Sequence, residues 1–193
     1  MSTAAATREE LRLSRLAQAL PDAGLDAYLC TSDESIDYLS GFRPLQLERL
    51  FAVVVRADGG AVVVPQLDAG QLGAAPGRLE RIVYTPASDG LPELRTAIGE
   101  ARRIGVEEDH LVFARARALA AGLEVVPAGE LVLRLRARKD ADEIERITRA
   151  CGLVEAALST ATESIDERTL AEAVTQQDVA LVVGGGKGMQ PGN

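Results

Sequence analysis

The sequence predicts an α/β fold: a mixed sheet of five or six strands with helices on both faces, followed by a C-terminal helical extension. Short apolar, β-branched runs alternate along the chain with segments whose apolar residues recur every three or four positions. Asp58-Gly59-Gly60 joins two of these runs directly, a hairpin signal that makes at least one strand pair antiparallel. Helices separate the other strands, which is typical of parallel pairs, so the sheet is mixed.

The N-terminal part of the chain is predicted to fold as helix, strand and turn. Apolar residues spaced for one helical face predict a helix over residues 8–20, which Pro21 ends. Residues 27–31 predict a strand with apolar side chains on both faces, and such a strand is covered on both sides. A short helical turn over residues 35–39 follows, and Gly41 ends it.

A hairpin is predicted next along the chain. Its strands are the runs 50–56 and 61–64, and the first of these is the strongest strand signal in the chain. A weak helix is predicted over residues 66–75, and Pro76 ends it. A further strand over residues 81–84 follows it.

Two more helix and strand units complete the predicted domain. Apolar residues one turn apart predict a helix over residues 92–101, and a strand over residues 103–106 follows. The Ala-rich segment 110–121 predicts the next helix. Residues 123–126 are the last predicted strand.

The C-terminal part is organised around one long amphipathic helix. Its predicted N-cap is Asp140, and Glu143 three residues later completes a capping box. Acidic and basic residues are spaced to pair at i,i+4 on its polar face. Its apolar stripe consists of Ile144, Ile147, Cys151, Val154, Leu158 and Ala161. Such a stripe is normally buried, so we expect it to fold back on the sheet domain or to pair with another chain.

The predicted domain boundaries follow from these patterns. Residues 1–137 form the α/β domain, residues 138–177 form a polar joint with two helices, and residues 178–193 form a Gly-rich tail. The second of those helices begins at a capping box over residues 164–167. The glycines and lysine of residues 184–188 lack the Walker spacing, so we expect a flexible tail rather than a phosphate-binding loop.

Composition argues against several classes of partner. The net charge is −8 and no basic face is evident, which disfavours nucleic acid and anionic membrane surfaces. No apolar run approaches the roughly 20 residues of a membrane span, and the N-terminus lacks a signal-peptide pattern, so we expect a cytoplasmic protein. Cys30 and Cys151 are too few and too far apart for a disulfide framework, and both are expected to be buried thiols.

Few residues suggest chemistry on their own. His110 is the single histidine, no G-x-S-x-G or H-E-x-x-H motif is present, and we expect this histidine on the surface. The acids beside it, Glu107, Glu108 and Asp109, are expected to be solvated. The basic run from Arg134 to Lys139 fits a helix C-terminus, where cations are favourable.

The most distinctive segment spans residues 33–42. From its residues alone it is a packed turn, in which Gly41 takes a conformation that other residues avoid. The side chains expected to be buried are Ile36, Tyr38, Leu39 and Phe42.

The same segment carries a family resemblance. Residues 35–42, S-I-D-Y-L-S-G-F, resemble the N-I-x-Y-L-T-G-F segment in the N-terminal domains of creatinase, prolidase and Xaa-Pro aminopeptidase. Glu48-Arg49 matches the E-R pair that often precedes the next strand there. Residues 135–144, L-R-A-R-K-D-A-D-E-I, resemble the L-R-x-x-K-S-x-x-E-I joint that leads into the catalytic domain of that family. The order and spacing of the motifs match over residues 8–176.

The resemblance implies a parent enzyme of two parts. A C-terminal "pita-bread" domain would hold two divalent metals, such as Mn or Co, through two Asp, one His and two Glu, and a bridging water would attack the X–Pro amide. Residues 138–177 would be only the first two helices of an incomplete domain of this kind. We therefore expect no metal ligand, no catalytic residue and no cofactor in this chain.

The resemblance also implies roles for the N-terminal domain. It would form oligomer contacts and walls of the substrate pocket, with self-association through the sheet domain or the exposed helix. Ser35, Tyr38 and Phe42 are the implied pocket residues, and Ser35 stands where the family usually has Asn or Asp. A peptide substrate would be bound only in the full-length parent.

The expected function is therefore that of the N-terminal, non-metal-binding part of an Xaa-Pro dipeptidase- or aminopeptidase-like metallopeptidase, truncated and inactive by itself. One alternative is a free-standing, non-catalytic protein-interaction module. Another is a frame-shifted fragment with no separate role, because the residues after Gln177 do not resemble the family.

Overall fold

The computed structural model describes residues 6–44, 48–72 and 79–164, with side chains as far as residue 162. The chain divides into two compact units, residues 1–138 and residues 139–193. The capping box predicted over residues 164–167 and the tail predicted over residues 178–193 lie outside the described side chains.

The described residues contain six helices and six strands. The helices are α1 (Arg8–Ala19), α2 (Asp33–Ser40), α3 (Leu91–Ile98), α4 (Phe113–Ala120), α5 (Gly129–Ala137) and α6 (Ala141–Ser164). The strands are β1 (Ala27–Cys30), β2 (Ala52–Arg56), β3 (Gly59–Pro65), β4 (Leu79–Tyr84), β5 (Arg103–Val106) and β6 (Glu124–Pro127). All but α6 belong to the first unit.

One mixed sheet in the order β4-β3-β2-β1-β5-β6 organises the first unit. Strand β2 is antiparallel to both β1 and β3, and the remaining neighbours are parallel. The predicted hairpin and mixed sheet are thus confirmed. The turn lies one position earlier than predicted, because Arg56 pairs with Gly59 and leaves Ala57 and Asp58 as the loop.

Apolar cores cover both faces of the sheet, as the sequence predicts. On one face, α1, α2 and α5 pack against side chains such as Tyr28 and Val53. On the other face, α3 and α4 pack against side chains such as Leu29 and Val54. Successive strand residues point to opposite faces, so strands covered on both sides are apolar at nearly every position.

Local sequence explains where several helices begin and end. Ser32 caps α2 by accepting a hydrogen bond from the backbone N–H of Ser35, and Gly41 ends the helix in the left-handed region at φ 70°. The helix is therefore longer than the predicted turn. Similarly, α3 stops three residues before its predicted end because Gly99, at φ 64°, takes a left-handed conformation.

The weak helix predicted over residues 66–75 is wrong for its described part. Residues 66–72 form turns, in which the N–H groups of Asp68 and Ala69 both donate to the carbonyl of Pro65. Leu67 is 73% exposed, whereas Ala69 and Leu72 pack against the core, so this short stretch is held on the sheet without forming a helix. The residues after 72, as far as 78, lie outside the described part of the chain.

Helix α6 has the capping that its sequence predicts. The N–H of Glu143 donates to the Asp140 carboxylate at 2.8 Å, and the N–H of Asp140 donates to the Glu143 carboxylate at 2.9 Å. Asp142 and Arg146 form the predicted ion pair at 3.8 Å. The expectation that both thiols are buried is wrong for Cys151, which is exposed because it lies on the exposed apolar stripe of α6, while Cys30 is buried in β1.

Candidate functional site

In a sheet of this kind, a functional site is expected at the edge where the parallel strands end. Strands β1, β3, β4, β5 and β6 all have their carboxyl ends at one edge, where β2 begins. Ligands of open α/β sheets bind outside the carboxyl ends of the strands. Two features lie at this edge: a buried carboxylate beside α2, and a cleft at the ends of β3 and β4.

The buried carboxylate belongs to Glu107, the residue after β5, and it is only 5% exposed. It accepts hydrogen bonds from the backbone N–H groups of Thr31 at 2.7 Å and Ser32 at 2.9 Å. The hydroxyls of Ser32 and Ser35 also donate to it. One side chain therefore ties the end of β5 to the end of β1 and to the first turn of α2.

A carboxylate in this position stabilises α2 in two ways. It pairs donors that would otherwise be buried without acceptors, and it places negative charge at the positive end of the helix dipole. The neighbouring Glu108 caps the start of α5 at the protein surface, accepting from Gly129 N–H at 2.9 Å and Ala128 N–H at 3.2 Å. Its own backbone N–H and that of Gly129 hold the pKa of Glu108 below its usual value.

The expectation that the acids near His110 are solvated is therefore wrong for Glu107. His110 itself is exposed, as predicted. The signal that could have singled out Glu107 is its position directly after a buried strand, but its bonding partners lie 72 to 76 positions away in sequence. Local sequence patterns do not identify contacts at that separation.

Helix α2 is held on its other side by Arg12 and by α5. Arg12 donates to the backbone carbonyl of Tyr38 at 3.1 Å, and its guanidinium lies 4.0 Å from the centre of the Tyr38 ring. The Tyr38 hydroxyl donates to the carbonyl of Leu135 at 3.2 Å. The ring thus joins α1, α2 and α5, and the cation–π contact is made by a buried arginine.

The three sequence-predicted pocket residues lie together but point into the core. Ser35 is 0% exposed, Tyr38 8% and Phe42 7%, and Phe42 packs near Phe51. The prediction that this segment is a packed turn is confirmed. Their role at a substrate pocket stays a prediction. The solvent-facing side of α2 instead presents Asp33, Glu34 and Asp37.

The cleft at the carboxyl ends of β3 and β4 has a volume of about 260 Å³. Its lining includes Glu48, Arg49, Gln66, Tyr84 and Arg115. Arg115 of α4 donates to the backbone carbonyl of Glu48 at 3.0 Å, and the buried Tyr84 hydroxyl donates to that of Leu50 at 3.0 Å. The Glu48-Arg49 pair found in the sequence is therefore fixed at the edge of a charged cleft.

The described residues do not fit a two-metal site. Within residues 6–44, 48–72 and 79–164, no three His, Cys, Asp or Glu side chains converge in a way that could hold a metal ion. Burial raises the pKa of the Cys30 thiol well above its usual range, and the charge of Glu107 adds to this. In the same part of the chain, no helix is long and apolar enough to cross a membrane.

Comparison with known proteins supplies a family for this geometry. The family described as the Creatinase/Prolidase N-terminal domain matches residues 12–138. An uncharacterized peptidase of Staphylococcus aureus (strain MRSA252) is 28% identical over 173 residues, which cover 86% of this chain and 48% of that protein. The chain thus spans about half the length of the curated relatives it matches.

Solved structures agree on the fold. An Xaa-Pro dipeptidase from Bacillus anthracis is similar with a TM-score of 0.72 and 22% identity, over 81% of this chain and 44% of that one. The Creatinase/Prolidase N-terminal domain of an X-Pro dipeptidase from Streptococcus pyogenes has a TM-score of 0.54 and 20% identity, over 61% of this chain and 98% of that one. At these identities the likeness shows the fold alone.

Proposed function

This chain belongs to the creatinase/prolidase N-terminal domain family, and we propose that it serves as the N-terminal, non-metal-binding part of an Xaa-Pro dipeptidase- or aminopeptidase-like metallopeptidase. In this role the sheet domain contributes oligomer contacts and a wall of the substrate pocket, and the chain by itself hydrolyses no peptide. Two divalent metals, such as Mn or Co, would be held by a catalytic domain of the full-length parent.

One observation carries the proposal. The family match, residues 12–138, coincides almost completely with the first structural unit, residues 1–138, and within the described residues that unit offers no metal-binding cluster. A domain that lacks the reacting groups acts by shaping and positioning. The relatives of similar sequence are about twice as long, which leaves room for a second domain in them.

The structure suggests how such a domain would form a pocket wall. Ser35, Tyr38 and Phe42 do not need to contact the substrate directly, because they fix α2 from inside through Glu107, Arg12 and the core. The acidic outer side of α2 and the charged cleft near Arg49 would then face the peptide. Rigid support of this kind is what a substrate-positioning surface requires.

Two measurements on the purified chain test this role. Incubation with an Xaa-Pro dipeptide and Mn²⁺ or Co²⁺ should give no hydrolysis above a blank with metal alone, and chelator-sensitive hydrolysis would contradict the proposal. Without the catalytic domain the pocket wall should contact the dipeptide only weakly, so at millimolar dipeptide the small amide shifts in an NMR titration should concentrate in residues 33–43 and around Arg49 and Arg115. An Xaa-Ala dipeptide is the matched control, and equal shifts for both peptides, or none, would argue against the pocket wall.

A second candidate is a free-standing, non-catalytic interaction module, and the exposure of α6 favours it. The large apolar side chains on this helix are between 49% and 66% exposed, and exposed apolar side chains grouped on one element are typical of interaction surfaces. Isolation of a stoichiometric complex with a different protein would support this module over the pocket-wall role, provided that the complex hydrolyses no Xaa-Pro dipeptide.

A further inference from the structure

Two tyrosines hold opposite ends of α5 through their hydroxyls. Tyr28 of β1 donates to the carbonyl of Ala128, the residue before the helix, at 3.0 Å. Tyr38 of α2 donates to the carbonyl of Leu135 at 3.2 Å. These bonds join residues that are 100 and 97 positions apart in sequence. Helix α5 is therefore held by β1 at its start and by α2 near its end.

The carbonyl of Leu135 lies in the last turn of α5. This helix ends at Ala137, and the last four carbonyls of a helix have no partner within it. Many helices close with a left-handed residue, but Arg138 takes an extended conformation at ψ 101°. The Tyr38 hydroxyl thus supplies a donor to a carbonyl that the helix itself leaves without one. The second unit begins at Lys139, directly after Arg138.

The Tyr38 hydroxyl follows the position of α2. The ring is 8% exposed, and its centre lies 4.0 Å from the guanidinium of Arg12, so the ring keeps one orientation. The bond to Leu135 is longer than the roughly 2.5–3.0 Å that is usual for an O–H donor, so a shift of α2 away from α5 by about half an ångström would break it. Such a shift is opposed at the first turn of α2, where the Ser35 hydroxyl donates to Glu107.

We propose that Tyr38 couples the outer side of α2 to the last turn of α5, so that a peptide held against α2 stabilises the turn from which the chain enters the second unit. Tyr38 is a positioning residue in this coupling, because its ring is buried. The peptide-binding role of α2 comes from the proposed function, on which this coupling rests. Because coupling between two sites is reciprocal, a change in the last turn of α5 also changes α2.

A double-mutant cycle measured by amide hydrogen exchange tests the coupling. Ser35→Ala removes the hydroxyl that ties the first turn of α2 to Glu107, so it should speed exchange of the amides of residues 135–137 by about threefold. In the Tyr38→Phe background the link is already absent, and Ser35→Ala should change these rates by less than about 1.5-fold. An equal acceleration with and without the Tyr38 hydroxyl would overturn the proposal.

Tyr28→Phe is the matched control for the loss of a tyrosine hydroxyl. It releases the start of α5 and leaves the bond between α2 and α5 in place, so Ser35→Ala should keep its effect of about threefold in this background. Loss of the effect in Tyr28→Phe as well would contradict a specific role of Tyr38. Dispersed amide signals in the NMR spectrum check that each variant is folded.

The reverse direction gives a test that needs no substitution at Ser35. Arg134→Gly weakens the last turn of α5 at an exposed position, because glycine is unfavourable in a helix. Exchange in residues 37–40 of α2 should become about threefold faster, and Tyr38→Phe should abolish this response. The matched control, Arg117→Gly in α4 on the other face of the sheet, should leave α2 unchanged. If Arg134→Gly also leaves α2 unchanged, the coupling is wrong.

Addition of the Xaa-Pro dipeptide separates this coupling from the proposed function. At millimolar dipeptide, exchange of residues 135–137 should slow by about twofold in the wild-type chain and stay constant in Tyr38→Phe. If residues 33–43 respond to the dipeptide but residues 135–137 do not, or if the cycle shows no coupling, only the role of Tyr38 is wrong. If the cycle shows coupling but no residue of 33–43 responds, the pocket wall is wrong and the link between α2 and α5 stands.

Discussion

Helices α1 and α6 obey the same local rules and have different surroundings. Each begins with a capping box, formed by Thr7 with Glu10 in α1 and by Asp140 with Glu143 in α6. Each carries an apolar stripe. In α1 the stripe is buried and Leu16 is 0% exposed, whereas Leu158 in α6 is 62% exposed. An amphipathic pattern thus shows which face of a helix tends to be buried, but not the surface that covers it.

Acidic side chains also differ in burial between the two units. Glu107 accepts four hydrogen bonds inside the sheet domain, while Glu155 of α6 is exposed. The same residue type therefore has a structural role in one unit and a solvated position in the other. The free energy of unfolding of residues 1–138 should therefore fall with substitutions in the first unit and should not change with matched substitutions in α6.

The largest expected effect is on core packing. Leu16→Ala should lower the free energy of unfolding by about 2–5 kcal/mol, because it leaves a cavity beside the sheet. Leu158→Ala, the matched substitution, should change it by less than about 0.5 kcal/mol. Urea unfolding followed by the near-UV signal of the tyrosines measures residues 1–138 specifically. A comparable loss from both substitutions would break the contrast between the helices.

The next effect concerns the buried carboxylate. Glu107→Ala should cost about 2–4 kcal/mol, since the N–H groups of Thr31 and Ser32 lose their acceptor in a buried site. Glu155→Ala should cost less than about 0.5 kcal/mol by the same tyrosine signal. Glu107→Gln keeps one acceptor oxygen, so its loss of unfolding free energy should lie between those of the two alanine variants. If Glu107→Ala proves as mild as Glu155→Ala, the carboxylate is not what holds α2 in place.

The smallest effect should come from the caps. Thr7→Ala removes the side chain that accepts from Glu10 N–H and should lower the tyrosine-reported stability by about 1 kcal/mol. Asp140→Ala should leave that signal unchanged and reduce helical far-UV ellipticity instead, because α6 lies in the second unit. If Asp140→Ala reduces both the tyrosine-reported stability and the far-UV ellipticity, the two units unfold together. Substitutions in α6 would then not be independent controls for the first unit.

Much of the fold could be predicted from short stretches of sequence. The β-branched runs of β2 and β3 and the polar turn between them specify the hairpin, and the predicted bounds of β5 match the structure residue for residue. The spacing in α1 identified its buried apolar side chains correctly, although it did not identify the buried Arg12. These features depend on hydrogen bonds and side-chain periodicity within about ten residues, so the sequence displays them directly.

The candidate site could be predicted only in part. The residues that the family resemblance pointed to lie in α2 or directly after it, near the edge where the strands end. The burial of Ser35 against Glu107 was not visible, and Cys151 was expected to be buried because of its residue type. Both errors concern which surface covers a side chain, a property that depends on residues far away in sequence.

By itself the sequence determined the order of the strands, the helices other than the segment 66–75, the antiparallel hairpin, the cap of α6, and the motif series of the creatinase/prolidase N-terminal domain family. The tertiary structure alone decided that Glu107 is buried beneath α2 and that Tyr38 joins three helices. The physical reason is the separation along the chain over which each interaction acts. Backbone geometry and capping act between near neighbours, whereas burial is settled when the sheet brings distant segments together and removes water from between them.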